Sequence, residues 1–146
     1  MPERGDLAPD FTAPTHDGKH LQLSQLRGQP VVLYFYPEAD TPGCTRESQG
    51  FRDAYDALQA KGVAVVGVSV DGVDKQCTFA EKYSLPFPLV ADVDKKVTRA
   101  YGVLNPSGRA QRVTFLIDAS GKITEVLKGI DAVEHVTRSR KALLGS

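Results

Sequence analysis

The sequence predicts an α/β fold, a central mixed sheet with helices on both faces and an extended segment at the N-terminal end. Three observations carry this. Residues 31–36 (VVLYFY) and 63–70 (VAVVGVSV) are unbroken runs of β-branched, aromatic and aliphatic side chains, the pattern of strands buried on both faces. Between them Cys44, Ser48, Phe51, Tyr55 and Leu58 recur at helical spacing, and a strand, helix, strand order implies a parallel pair with a right-handed crossover. Residues 112–118 (RVTFLID) and 122–127, divided by the turn Ala119-Ser120-Gly121, read as an antiparallel hairpin at one edge of the sheet.

The elements follow in order. Residues 5–14 read as an extended segment with Leu7, Phe11 and Pro14 against the core. His16-Asp17-Gly18-Lys19 is a turn, and Leu21, Leu23 and Leu26 after it suggest a small hairpin or extended arm ending in a short helical turn at 24–27. Pro37 ends the central strand, residues 38–43 supply turn chemistry, and the helix starts near Pro42 or Gly43 and ends before Gly62. After the second strand, Asp71 is placed to cap a helix over 73–84, with Asp74 in its first turn and Val73, Cys77, Ala80 and Ser84 on one face. Leu85-Pro86-Phe87-Pro88 breaks that helix. Leu89-Val90-Ala91 is a short strand, a helix over 95–101 follows, and Gly102 closes it. Residues 103–111 form a loop. Beyond the hairpin Asp131 caps a last helix whose apolar side is Val133, Val136, Leu143 and Leu144, and whose Arg138, Arg140 and Lys141 suit its C-terminal dipole.

The chain has 146 residues, which suits one domain over 1–146 with a single core. Eighteen acidic residues balance eighteen basic ones, which argues against a general binder of nucleic acid or of anionic membranes. Residues 1–9 are polar and lack the apolar core of a secretory signal, and no apolar run approaches the length of a membrane span, so the expected location is the cytoplasm. Two cysteines, Cys44 and Cys77, are too few to staple a secreted fold, but they could form a redox pair. His16, His20 and His135 are scattered and read as surface residues, with no metal expected.

Cys44 is the residue around which chemistry gathers. It falls in the first turn of its helix, where unpaired backbone N–H groups and the positive end of the macrodipole favour an anion such as a thiolate. In an α/β sheet, residues just beyond the carboxyl ends of adjacent strands form the usual site, and Cys44 lies there. The bland alternative is a small buried hydrophobe. Thr41-Pro42-Gly43-Cys44 also has the spacing of a C-x-x-C motif with threonine in place of the first cysteine, which makes a thiol–disulfide exchange protein the competing enzyme class. Ser120-Gly121-Lys122 lacks the upstream glycine of a phosphate loop, and Asp92-Val93-Asp94 lacks the glycine and glutamate of a calcium loop.

Pro37, Thr41 and Cys44 in PEADTPGC match the P-x-x-x-T-x-x-C motif of peroxiredoxins, and Arg112 in QRVTFLID matches the second active-site arginine of that family. YFYPEADTPGCTRE most closely resembles the peroxiredoxin Q, or bacterioferritin comigratory protein, group, over residues 5–144. The resemblance implies a thioredoxin-like fold with an N-terminal extension and a thiol-dependent peroxidase acting on hydrogen peroxide and organic hydroperoxides without a bound cofactor. By similarity Cys44 is the peroxidatic nucleophile, Thr41 sets its hydroxyl beside the sulfur, Arg112 offers fixed donors and a permanent charge, Pro37 shields the sulfur, and Glu47 orients the arginine. Taken singly, Pro37 could merely end a strand, Thr41 cap a helix, Glu47 favour a first turn and Arg112 form a surface ion pair.

The second cysteine departs from the commonest pattern of this group, whose resolving cysteine lies five residues after the first; here Gln49 stands there. Cys77, 33 residues on (77 − 44), resembles a less common subtype that resolves from the following helix. A bond would need the Cα atoms within roughly 7 Å and so the unwinding of one or both helical turns. The implied cycle is a sulfenic acid at Cys44, a disulfide with Cys77, and reduction by thioredoxin or a similar dithiol protein; the resemblance and a cysteine pair within one chain favour a monomer, with a weak dimer through the edge of the active-site helix as the alternative. The alternatives are a one-cysteine peroxidase with a structural Cys77, and a redox-sensing or holdase module that oxidation opens.

Overall fold

β3 (Val31–Phe35) is the centre of the sheet because all five of its residues are buried, and their alternation feeds two separate cores. In the computed structural model, which describes residues 1–145, the sheet runs β5-β4-β3-β6-β7. β3 pairs parallel with β4 (Ala64–Ser69), which pairs parallel with β5 (Leu89–Ala91). On its other side β3 pairs antiparallel with β6 (Val113–Ile117), and β6 with β7 (Ile123–Leu127), so the hairpin forms one edge. A two-stranded arm, β1 (Thr12–Pro14) with β2 (His20–Gln22), precedes it and runs into a 3-10 turn at Leu23–Leu26.

Val31, Leu33 and Phe35 point to one face with Val66, Val68, Val90, Phe115 and Ile117, and Ala8, Ala13 and Leu23 of the N-terminal segment cover it together with Val97 of α3 (Lys96–Ala100). Val32 and Tyr34 point to the opposite face, where Phe51, Ala54 and Leu58 of α1 (Pro42–Ala60), Phe79 and Ala80 of α2 (Val73–Lys82) and Val136 of α4 (Ala132–Leu144) close the core. Buried aliphatic and aromatic area of this kind contributes roughly 25 cal/mol per Å² removed from water.

Several expectations need correction. Leu7 is exposed; its backbone bridges to Lys122 and the neighbouring Ala8 takes the core position. Asp71 does not cap α2, whose N-cap is Gly72; its Oδ2 instead accepts from Ala39 N and Ser69 Oγ, both at 2.7 Å, because the loop after β3 and the end of β4 offer nearer donors. Of Val73, Cys77, Ala80 and Ser84, expected on one face of this helix, Ala80 is buried, together with Gln76 and Phe79, and Ser84 lies beyond the helix end. On α4, Val133 is 54% exposed while His135, expected at the surface, is fully buried. Asp131 does cap that helix, accepting from Glu134 N at 2.8 Å.

Candidate active site

The register of β3 against β6 builds the site. Phe35, the last residue of β3, pairs with Val113, the first of β6, so the chain leaving β3 for Cys44 and the chain arriving with Arg112 meet at the same end of the sheet. Arg112 lies one residue before β6 rather than within it. α1 begins at Pro42 with Thr41 as N-cap, which suits proline because its missing N–H is one the helix start leaves unpaired anyway. Cys44 is therefore in the first turn and Glu47 one turn further along the same face.

Cys44 is buried, and Arg112 Nη2 donates to its Sγ at 3.3 Å. Nη1 of the same guanidinium donates to Glu47 Oε1 at 2.6 Å, so one rigid fork spans sulfur and carboxyl. Glu47 is 0% exposed and Arg112 22%, and burial pushes the Glu47 carboxyl up to about 8 against the pull of the arginine. Gly43 runs beneath the guanidinium; a Cβ there would meet Nη2 at 3.1 Å. Thr41 Oγ1 donates to Glu38 O at 2.8 Å, so the hydroxyl does not cap the helix and its lone pairs are left to accept another proton. Pro37 is half-buried just after β3.

The loop before α1 is fastened to its surroundings by polar links. Asp40 adopts a left-handed φ of 62° and accepts from Lys82 Nζ at 3.0 Å and Tyr83 Oη at 2.8 Å. Glu38 is paired with Lys75 and, at 3.0 Å, with Arg109 Nη1. Beneath these links Tyr36 Oη donates to Gln76 Oε1 at 2.6 Å, and Tyr34 Oη is 2.8 Å from Ser48 Oγ.

Cys44 and Cys77 are both free thiols. Cys77 is half-exposed on α2 and donates to Glu81 Oε1 at 3.6 Å, one turn along the same helix. Burial first, then the charge of Glu81, push its thiol up.

The AhpC/TSA family model matches residues 4–126. The chain belongs to the AhpC/TSA family. Within it the chain is a peroxiredoxin of the peroxiredoxin Q, or bacterioferritin comigratory protein, group, and so a thiol-dependent peroxidase with a thioredoxin-like fold. Peroxiredoxin Bcp of Escherichia coli strain K12 is 42% identical over 138 residues, covering 90% of this chain and 88% of its own. The crystal structure of peroxidoxin BcpB from Mycobacterium tuberculosis matches with a TM-score of 0.93 at 34% identity, over 99% of this chain and 98% of that one. The bacterioferritin comigratory protein of Xanthomonas campestris, studied for alkyl peroxide reduction, matches with a TM-score of 0.90 at 27% identity, over 99% and 98%.

In this peroxiredoxin the sequence pattern reaches Cys44, Arg112 and Glu47, and the fold brings these together. It does not reach Gly43, Thr114 or His135. Buried positions of α4 include Ala132, His135, Val136 and Ser139, spaced as one helical stripe, so the burial of His135 was readable from position though not from residue type.

Proposed function

We propose that Cys44 is the peroxidatic nucleophile, and the contact that carries this reading is the 3.3 Å approach of Arg112 Nη2 to its Sγ. A thiolate attacks the terminal oxygen of a hydroperoxide, the O–O bond breaks, and the products are a sulfenic acid and an alcohol or water once the leaving oxygen gains a proton. Arg112 stabilises the thiolate and the negative charge that develops on the departing oxygen, because its donors are fixed in place before the reaction begins. The Thr41 hydroxyl accepts the hydroperoxide O–H and aligns it. Pro37 screens the sulfur, and Glu47 holds the guanidinium from behind.

The thiol of Cys77 then condenses with the sulfenic acid, forming the disulfide and releasing water, and a dithiol protein such as thioredoxin restores both thiols. Such a pair lies within one chain, so the reading assigns a monomer, and a thioredoxin-type reductant agrees with the cytoplasm. Hydrogen peroxide and organic hydroperoxides are the substrates. One observation favours a second reading: Cys77 is hydrogen-bonded within an intact α2, to Glu81, which suits a one-cysteine peroxidase.

Intact mass after one equivalent of hydrogen peroxide separates these. The two-cysteine cycle requires loss of two hydrogens in the parent, a sulfenic adduct in Cys77→Ser, and no prompt change in Cys44→Ser. A parent that gains oxygen as Cys77→Ser does leaves Cys77 structural. An inert Cys44 removes the peroxidatic assignment altogether.

A further inference from the structure

Behind Arg112 the polar side chains continue inward. Glu47 presents Oε1 to the arginine, but among the described residues its buried Oε2 has no hydrogen-bond partner; it lies 3.7 Å from Nδ1 of His135. His135 comes from α4 and is 0% exposed; its Nδ1 is 2.8 Å from Thr114 Oγ1, and its Nε2 has no side-chain partner among the described residues. Thr114 is two residues beyond Arg112, on the same face of the strand that Arg112 leads into. Nδ1 of the ring thus faces both Thr114 Oγ1 and the inner oxygen of Glu47.

Packing alone does not explain this arrangement, because an apolar side chain would fill the same volume without burying unpaired polar atoms. We infer that His135 is a positioning residue for the peroxidatic site: it restrains the inner oxygen of Glu47, and so holds the outer oxygen and the Arg112 guanidinium in line with Cys44. The inference rests on the assignment of Cys44 as the reacting thiol. Mechanically, the guanidinium is a rigid plane bound at both ends, so rotation of the Glu47 carboxyl displaces Nη1 and swings Nη2 against the sulfur.

Charge is consistent with this role. Burial first, then the positive charge of Arg112, push the imidazole down to about 4, so it is neutral near pH 7. The groups that face it are Glu47 from α1, Arg112 and Thr114 from the start of β6, the Ile130 backbone and the Asp131 cap just before its helix, and Arg138 from the helix itself; the Ile130 hydrogen bond and Asp131 pull the ring upward against burial and Arg112. A neutral ring restrains the carboxyl with a dipole and does not compete with Arg112 as a second cation.

The test measures the second-order rate of Cys44 oxidation by hydrogen peroxide, its pH profile and the thermal midpoint in parent, Cys44→Ser, His135→Leu, His135→Asn and Thr114→Val. His135→Leu is expected to slow oxidation about tenfold and to shift the pH profile, as a small misplacement of a fixed donor does. His135→Asn, whose amide can place a polar atom near the Nδ1 position, should recover most of the loss, with Thr114→Val between. Rates and profiles equal to the parent in His135→Leu and Thr114→Val overturn the inference, even if both variants melt earlier. Should His135→Leu fail to fold, Thr114→Val and His135→Asn decide: an unchanged profile in both overturns it. Peroxide consumption that survives Cys44→Ser removes the underlying assignment, whereas an inactive Cys44→Ser beside an unaffected His135→Leu removes only the role of His135.

Discussion

The α-carbon of Gly43 lies against the guanidinium of Arg112, so close that a Cβ would come within 3.1 Å of Nη2. A glycine in a helical turn ordinarily costs stability relative to alanine, by up to about 1 kcal/mol. Here it leaves room for the donor that faces the sulfur.

Gly43→Ala should therefore separate stability from rate. The melting temperature is expected to stay level or rise, while Cys44 oxidation slows about fivefold as the guanidinium is displaced. Rapid-mixing kinetics with hydrogen peroxide, set beside a thermal melt, measure both; an unchanged rate would mean that Arg112 yields without loss.

Arg112→Lys keeps the charge but loses the fork, and a single ammonium cannot reproduce the paired contacts to Sγ and Glu47 Oε1. Peroxide consumption under saturating dithiol is expected to fall about 100-fold, the scale seen when one preorganised donor to a developing oxyanion is lost. A drop of less than threefold would show that charge alone suffices.

Glu47 makes stability depend on pH. Its folded carboxyl is raised from 4.5 to about 8, so the folded protein keeps a proton that the unfolded chain has released. That contribution is complete below about pH 4.5 and is lost as pH rises toward 8. His135, lowered from 6.5 to about 4, acts in the opposite sense: its contribution is complete above 6.5 and lost as pH falls toward 4. Relative to Glu47→Gln, the parent should lose on the order of 2 kcal/mol between mildly acidic and mildly alkaline pH. Urea melts at both pH values test this, and a constant offset would argue that Arg112 keeps Glu47 ionised throughout.

Gly50 sets the spacing of α1 and α4, since a Cβ on it would lie 2.8 Å from Val136 Cγ2. Gly50→Ala should lower stability by about 1–3 kcal/mol through overpacking. Adding Val136→Ala should return part of that loss in a double-mutant cycle. Strict additivity would place the strain elsewhere.

What the sequence made legible follows from how local each signal is. The runs at 31–36 and 63–70 announce buried strands because burial on both faces removes polar residues altogether. Cys44 is readable from the strand, proline turn and helix start around it. Its contact with Arg112 is not, because the pairing of Phe35 with Val113 joins segments far apart in the chain, and no local pattern encodes a register. The motif resemblance supplied that juxtaposition. His135 escaped for another reason: the buried stripe of α4 mixes Ala132 and Val136 with two polar residues, so hydrophobicity pointed to Val133, which faces solvent. Asp71 was misplaced by one residue of helix start, since the N–H of Ala39, contributed from another loop, competes for its carboxylate.

The links that fasten Glu38 and Asp40 to Lys75, Lys82 and Arg109 face solvent, unlike the aromatic layer beneath them. Mobile ions weaken such pairs, since the screening length shrinks from about 8 Å at physiological ionic strength to about 3 Å at 1 M. The segment leading into Cys44 is thus held more loosely in concentrated electrolyte while the sheet is untouched. Rates of oxidation gathered in different buffers report on dissolved salt as well as on peroxide, and become comparable only at matched ionic strength.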